Sequence, residues 1–108
     1  MDTYQDNNHY PFDLSIVLPV YNEVDNIQPV HDELAEVLGG LGQRYEIIYV
    51  DDGSRDGSRD KIVALAAQHP NTVRAVLLRR NFGQTAAIQA GIDHANGAII
   101  TLMDADLQ

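Results

Sequence analysis

Residues 45–70 read YEIIYVDDGSRDGSRDKIVALAAQHP. Tyr45 to Val50 (YEIIYV) is rich in β-branched and aromatic residues, the composition of a strand. Asp51-Asp52-Gly53-Ser54 is a turn sequence. A helix is expected over roughly Ser58 to His69: Ile62, Leu65 and Ala66 share one face, and Pro70 stops it. Strand, turn and helix make one βα unit, and the chain repeats that order on both sides.

Upstream, Leu14 to Val20 (LSIVLPV) is nearly continuous in apolar residues, as in a strand buried on both faces. Val30, Leu34, Val37, Leu38 and Leu41 follow at helical spacing, with Pro29 suited to a helix start and Gly39-Gly40 to its end. Downstream, Val73 to Leu78 reads as a third strand. A third helix is expected over Gln84 to Asn96, with Gly97 as its C-terminal cap. Ala98 to Met103 (AIITLM) is the fourth strand. Such alternation implies βαβ units: an α/β domain with a parallel sheet of about four strands and helices on both faces. Residues 1–13 (MDTYQDNNHYPFD) are polar and aperiodic, and are expected to form a flexible tail.

The 108 residues suit one small domain, and the 44% hydrophobic content supports a core. Seven basic against sixteen acidic residues leave a net charge of −9. That balance argues against a nucleic-acid partner and against a polybasic membrane anchor. Absence of cysteine excludes disulfides and thiolate metal sites and is compatible with a reducing compartment. No apolar stretch approaches the roughly 20 residues of a membrane span, and the N-terminus lacks a secretion-signal pattern.

In open parallel sheets, ligands lie beyond the carboxyl ends of the strands. Polar clusters fall at all four: Tyr21-Asn22-Glu23, Asp51-Asp52, Arg79-Arg80-Asn81, and Asp104 with Asp106. Each has a plain reading beside a functional one. Asp104-Ala105-Asp106 is either a solvated strand end or a pair of carboxylates for one divalent cation, with Gln108 adding a carbonyl oxygen. Oxygen ligands suit Mg²⁺ or Mn²⁺. Asp51 and Asp52 can accept hydrogen bonds from a base or ribose, while Asp56 or Ser58 caps the second helix. Tyr21 can cover a base and Glu23 can hold a ribose hydroxyl or base N–H; alternatively, Asn22 or Asn26 simply caps the first helix. Arg80 can clamp a phosphate or carboxylate, or form an ion pair joining two loops. His9, His31, His69 and His94 show no metal-ligand spacing, and the last three are expected at exposed or helix-end positions. Dinucleotide, P-loop and nucleophile-elbow motifs are absent.

In order and spacing, LSIVLPVYNEVDNI, EIIYVDDGSRDGS, RRNFGQTAAIQAGIDHANG and MDADLQ resemble the family 2 glycosyltransferases. The resemblance covers residues 14–108 and is nearest to the branch that charges polyprenyl phosphates, such as dolichol-phosphate mannosyltransferase and bactoprenol glucosyltransferases. It implies a Rossmann-like GT-A domain, of which 14–108 is the nucleotide-sugar-binding half. By the same resemblance, Pro19, Tyr21, Glu23, Val50 and Asp52 line the nucleotide site. Asp104, Ala105 and Asp106 hold the diphosphate and metal, and Gln108 is a further metal ligand. The implied reaction is inverting transfer from a UDP- or GDP-sugar to a polyprenyl phosphate at the cytoplasmic face of a membrane.

The family continues well over a hundred residues further, so the resemblance implies a domain truncated after the Asp-x-Asp motif and inactive alone. An edge left on the fourth strand would then invite a homo-oligomer. Two alternatives compete. A sugar nucleotidyltransferase-like domain would carry a glycine-rich basic loop where Tyr21-Asn22-Glu23 stands. A non-catalytic α/β assembly module would bind no nucleotide.

Overall fold

The computed structural model describes residues 10–105. Strands and helices alternate as β1 (Phe12–Val20), α1 (Val24–Gly39), β2 (Tyr45–Asp51), α2 (Ser58–Gln68), β3 (Val73–Leu77), α3 (Gln84–His94) and β4 (Gly97–Leu102). The four strands form one parallel sheet in the order β3-β2-β1-β4. Winding runs outward from β1 to β3, then returns to place β4 on the other side of β1. The direction therefore reverses between β1 and β4, which is where open α/β sheets make ligand crevices.

Alternation along the central strands sorts their side chains onto two faces. Ile16, Leu18 and Val20 of β1 join Ile47 and Tyr49 of β2 beneath Ile27, Val30, Leu34 and Leu38 of α1 and Ile62 and Leu65 of α2. Val17, Ile48 and Val50 face the other way, against Ala87 of α3. Because both faces are covered, β1 and β2 read as apolar runs. An isolated helix as short as α2 is marginal in water. Ile62 and Leu65 are wholly buried, and each contributes about 2 kcal/mol to holding it on the sheet.

Several local expectations change. β1 takes in Phe12 and Asp13, both assigned above to the tail. The Asp13 carboxylate bonds the Arg44 guanidinium at 2.8 Å, and this contact holds its carboxyl below the usual range. Helix α1 starts at Val24, so Pro29 lies inside it rather than at its start. Its position is solvent-exposed, where water can serve the carbonyl that loses its partner. Gly97 is not a helix cap but the first residue of β4, and α3 ends at His94. A side chain at Gly97 would meet the backbone nitrogen of Ser15 at 2.6 Å, so close approach of β1 and β4 requires glycine. His31 is buried rather than exposed: its Nδ1 lies 2.8 Å from the Tyr49 hydroxyl and its ring stacks on His69.

A polar knot at the amino end of the sheet fixes the β1–β4 pairing. The buried Glu46 carboxylate accepts from the Ser15 hydroxyl at 2.6 Å and the Asn96 N–H at 2.7 Å. Ser15 Oγ in turn accepts from the Gly97 N–H at 2.8 Å. At the sheet edge, Ile99, Ile100 and Leu102 of β4 are exposed. Among the described residues, no helix is long and apolar enough to cross a membrane.

Candidate functional site

The loops after β1, β2 and β3 are tied together before any ligand is considered. Asn22 sits in the left-handed region at φ 53°, where its side chain faces the loop after β2. Its Oδ1 accepts the Arg55 N–H at 2.9 Å, and its own N–H donates to Ser54 Oγ at 2.9 Å. Neither Asn22 nor Asn26 caps α1 by its side chain. The cap comes from across the sheet: Glu23 N–H donates to Ser58 Oγ at 3.0 Å, and Val24 N–H to Asp56 Oδ2 at 3.2 Å. Asp56 Oδ1 also accepts the Ser58 N–H and hydroxyl. Burial pushes the Asp56 carboxyl up, but the bonds from Ser58 and Val24 outweigh it and hold the group below its ordinary value. The N-cap position of α2 is held by Gly57 at φ 99°, without a side-chain cap, rather than by Asp56 or Ser58; the Asp56 carboxylate instead bonds the first residues of both α1 and α2.

Asp52 joins the loops after β2 and β3. Its buried carboxylate accepts Phe82 N–H at 2.8 Å, Gly83 N–H at 3.1 Å and Asn81 Nδ2 at 3.2 Å. A carboxylate offers about four acceptor sites, so roughly one remains for a ligand. Gly53 makes this junction sterically possible. It has φ 76°, and a side chain there would collide with the backbone of Arg80 and Asn81. Arg80 forms neither an ion pair nor a carboxylate clamp among the described residues. Its guanidinium lies over the Phe82 ring, 4.2 Å from the centroid.

These tied loops wall a cleft of about 380 Å³ above the β1–β4 reversal. Pro19, Val20, Tyr21 and Glu23 supply one side, and Asp104 and Ala105 the β4 side. Asp52, Asn81, Gly83 and Gln84 close the remainder. Seven of the residues singled out from sequence therefore converge here: Pro19, Tyr21, Glu23, Asp52, Asn81, Asp104 and Ala105. Val50 is not among them; its side chain is wholly buried in the core layer between the sheet and α3. Asp106 and Gln108 lie outside the described residues. Gln84 falls within the RRNFGQ stretch without a role read from sequence; its place at the start of α3 brings it to the cleft.

Within the cleft, Tyr21 is half exposed, and the Glu23 carboxylate is engaged at 3.2 Å by the Asn26 side chain. Asp104 is exposed and makes no hydrogen bond or ion pair among the described residues. The same residues contain no group of three or more acidic, histidine or cysteine side chains that could hold a metal. The available donors, Asp104 and Glu23, are all oxygen, a set that fits a hard divalent cation sharing its shell with water and phosphate.

A parallel α/β sheet with an acidic, tyrosine-lined cleft at its winding reversal defines the doubly wound class of domain, in which ligands sit beyond the strand ends. The sequence profile described as Glycosyl transferase family 2 matches residues 15–108, and the chain belongs to that family. It is 45% identical over 95 residues to the undecaprenyl-phosphate 4-deoxy-4-formamido-L-arabinose transferase of Serratia proteamaculans, covering 88% of this chain and 29% of the relative. Identity to the enzyme of the same name from Pseudomonas paraeruginosa is 44% over 100 residues, covering 92% and 30%. The chain thus spans about three-tenths of the length of these relatives.

Among solved structures, a mannosyltransferase from Pyrobaculum calidifontis in complex with GDP-Man and Mn²⁺ superposes with a TM-score of 0.75 at 25% identity, over 96% of this chain and 30% of that one. Glucosyl-3-phosphoglycerate synthase from Mycobacterium tuberculosis, with Mn²⁺, UDP and its product, gives 0.68 at 25% identity, over 91% and 35%. The GT-A arrangement is common to them and this chain.

Proposed function

We propose that this chain forms the donor-binding part of a glycosyltransferase that takes a UDP- or GDP-linked sugar with a divalent metal, Mn²⁺ or Mg²⁺. The observation that carries the proposal is the convergence of Tyr21, Glu23 and Asp104 on one cleft at the β1–β4 reversal. Tyr21 covers the base, and Glu23 offers a carboxylate to ribose or base. Asp104 holds the metal, with Asp106 and Gln108 as further ligands carried by the resemblance. A divalent cation held there would supply positive charge to the diphosphate leaving group, which the acceptor oxygen displaces at the anomeric carbon with inversion. Solved neighbours in complex with GDP-Man and with UDP, both with Mn²⁺, support the donor class.

The acceptor we propose is a polyprenyl phosphate, which the names of the curated relatives support. A phosphate acceptor is already ionised at neutral pH, so the transfer does not require a strong general base. Work at the cytoplasmic face of a membrane follows from that acceptor and belongs to the same proposal. The exposed apolar edge of β4 supports a further element, pairing with a second copy, and sedimentation that shows only monomer at high concentration would rule this out.

Calorimetry with UDP- and GDP-sugars, with and without Mn²⁺, tests the donor reading. Asp104→Asn is expected to abolish metal-dependent binding and leave the melting temperature unchanged, because the side chain supports no other contact. Nucleotide binding that is equal with and without metal, or equal in Asp104→Asn, would refute the assignment.

A further inference from the structure

A second cleft, of about 420 Å³, opens between the loops after β2 and β3. It shares Tyr21 and Asn81 with the donor cleft as a common wall, but its character is opposite. Arg55, Arg59, Arg79 and Arg80 all line it. The whole chain has only seven basic residues and a net charge of −9, so this is a local reversal of sign. A cleft lined by one sign of charge focuses field and concentrates the opposite ion.

Little in the protein neutralises these guanidinium groups. Arg59 lies 3.6 Å from Asp51 Oδ2 and donates to the Leu78 carbonyl at 3.1 Å. Arg80 stacks on Phe82. The side chains of Arg55 and Arg79 make no hydrogen bond or ion pair among the described residues, and both are exposed. Their backbones are nonetheless anchored in the loop junction: Arg55 N–H is held by Asn22, and Arg79 directly follows Leu78, whose N–H donates to the Asp51 carbonyl at 2.9 Å. Ser54 also lines the cleft. Its oxygen accepts the Asn22 N–H, which leaves the hydroxyl proton to donate.

We infer that this cleft binds a phosphate group: orthophosphate, a soluble phosphate monoester, or the phosphate of a lipid headgroup. Guanidinium forks pair with oxyanions through parallel charge-assisted bonds. Several of them around one cleft suit a group with more than two oxygens and more than one negative charge, which favours phosphate over carboxylate. The site is separate from the metal-dependent donor cleft and stands whether or not the nucleotide-sugar reading holds.

The test titrates the metal-free protein with inorganic phosphate at low ionic strength, by calorimetry and by NMR of the arginine Nε–H signals. Saturable binding is expected. Arg55→Ser combined with Arg79→Ser should weaken it roughly tenfold or more. Lys61→Ser, a cation that does not line the cleft, should leave it unchanged. The double variant alters no side-chain hydrogen bond, so an unchanged melting temperature will separate lost binding from lost fold.

Co-sedimentation with phosphatidylcholine vesicles containing phosphatidic acid, against phosphatidylcholine alone, separates the sources. Capture that the double variant loses assigns the site to a lipid phosphate; soluble phosphate binding without capture assigns it to a soluble one. Absence of both, or equal phosphate binding by wild type and double variant, would overturn the inference.

Discussion

Replacing Asp52 by alanine tests whether the cleft is built before its ligand arrives. The carboxylate is 3% exposed and receives hydrogen bonds from Phe82 N–H, Gly83 N–H and Asn81 Nδ2, at 2.8, 3.1 and 3.2 Å. Bonds to a charged acceptor contribute about 1.5–3 kcal/mol each when buried. The loop they hold is itself partly exposed, so water can recover some of that in the variant. The expected net loss is about 3 kcal/mol, or roughly 10–20 °C in melting temperature for a domain of this size. Asp52→Asn retains one acceptor oxygen but sets its own NH₂ against the loop donors, and should lose about 2 kcal/mol.

Urea unfolding without nucleotide or metal measures both variants. Hydrogen exchange at Phe82 and Gly83 should accelerate in Asp52→Ala, where both amides lose their acceptor, and at one of the two in Asp52→Asn, which keeps a single acceptor oxygen. If Asp52→Ala unfolds within about 1 kcal/mol of wild type, the carboxylate is not the joint between the loops. Its role would then have to be sought in ligand contact alone.

Three further outcomes follow from the same structure. Gly53→Ala forces a side chain into a positive-φ position against the Arg80–Asn81 backbone and should cost about 2–4 kcal/mol by urea unfolding, with weaker nucleotide binding because both clefts share that junction. Glu46→Ala removes the acceptor for Ser15 and Asn96 at the far end of the sheet, and should lose about 3 kcal/mol while leaving nucleotide affinity unchanged at temperatures where the protein is folded. Burial, and secondarily the neighbouring His69, hold the His31 imidazole below its ordinary value of 6.5 in the folded state. The unfolded chain therefore binds the proton first, so stability is full above pH 6.5 and falls as pH drops through that value. His31→Gln should flatten that part of a stability–pH curve, and an unchanged slope would show that His31 does not cause it.

The fold was legible because its signal is local. Apolar runs of strand length alternate with helical spacing, and only a parallel sheet accommodates that order. The placement of Pro29 and Gly97 was not legible in this way. Pro29 is tolerated inside α1 on a solvent-facing position, and Gly97 is required by the backbone of β1, far away in sequence. His31 likewise pairs with Tyr49 across the core, a contact that no spacing along α1 reveals.

The site divides along the same line. Polar residues at strand ends located the cleft, but their identities left open which of them face a ligand. Asn22, Asp52 and Asp56 resemble ligand contacts or local caps. In the fold they are the bonds between loops, to partners 32, 29–31 and 32 positions away in sequence. Arg79 stands in a strand-end cluster and Arg55 carries no reading of its own in the sequence, yet no carboxylate among the described residues claims either. A carboxylate whose acceptor sites are filled by the protein positions the cleft more than it reads the ligand. Contact then falls to side chains that the loops leave unclaimed: Tyr21 and Asp104 in the acidic cleft, Arg55 and Arg79 in the basic one. On that logic, Asp52→Asn should weaken donor binding in parallel with its effect on the loop, whereas Asp104→Asn should weaken binding with the loop intact. Opposite behaviour of the pair would mean that hydrogen-bond saturation does not predict which strand-end carboxylate meets the ligand.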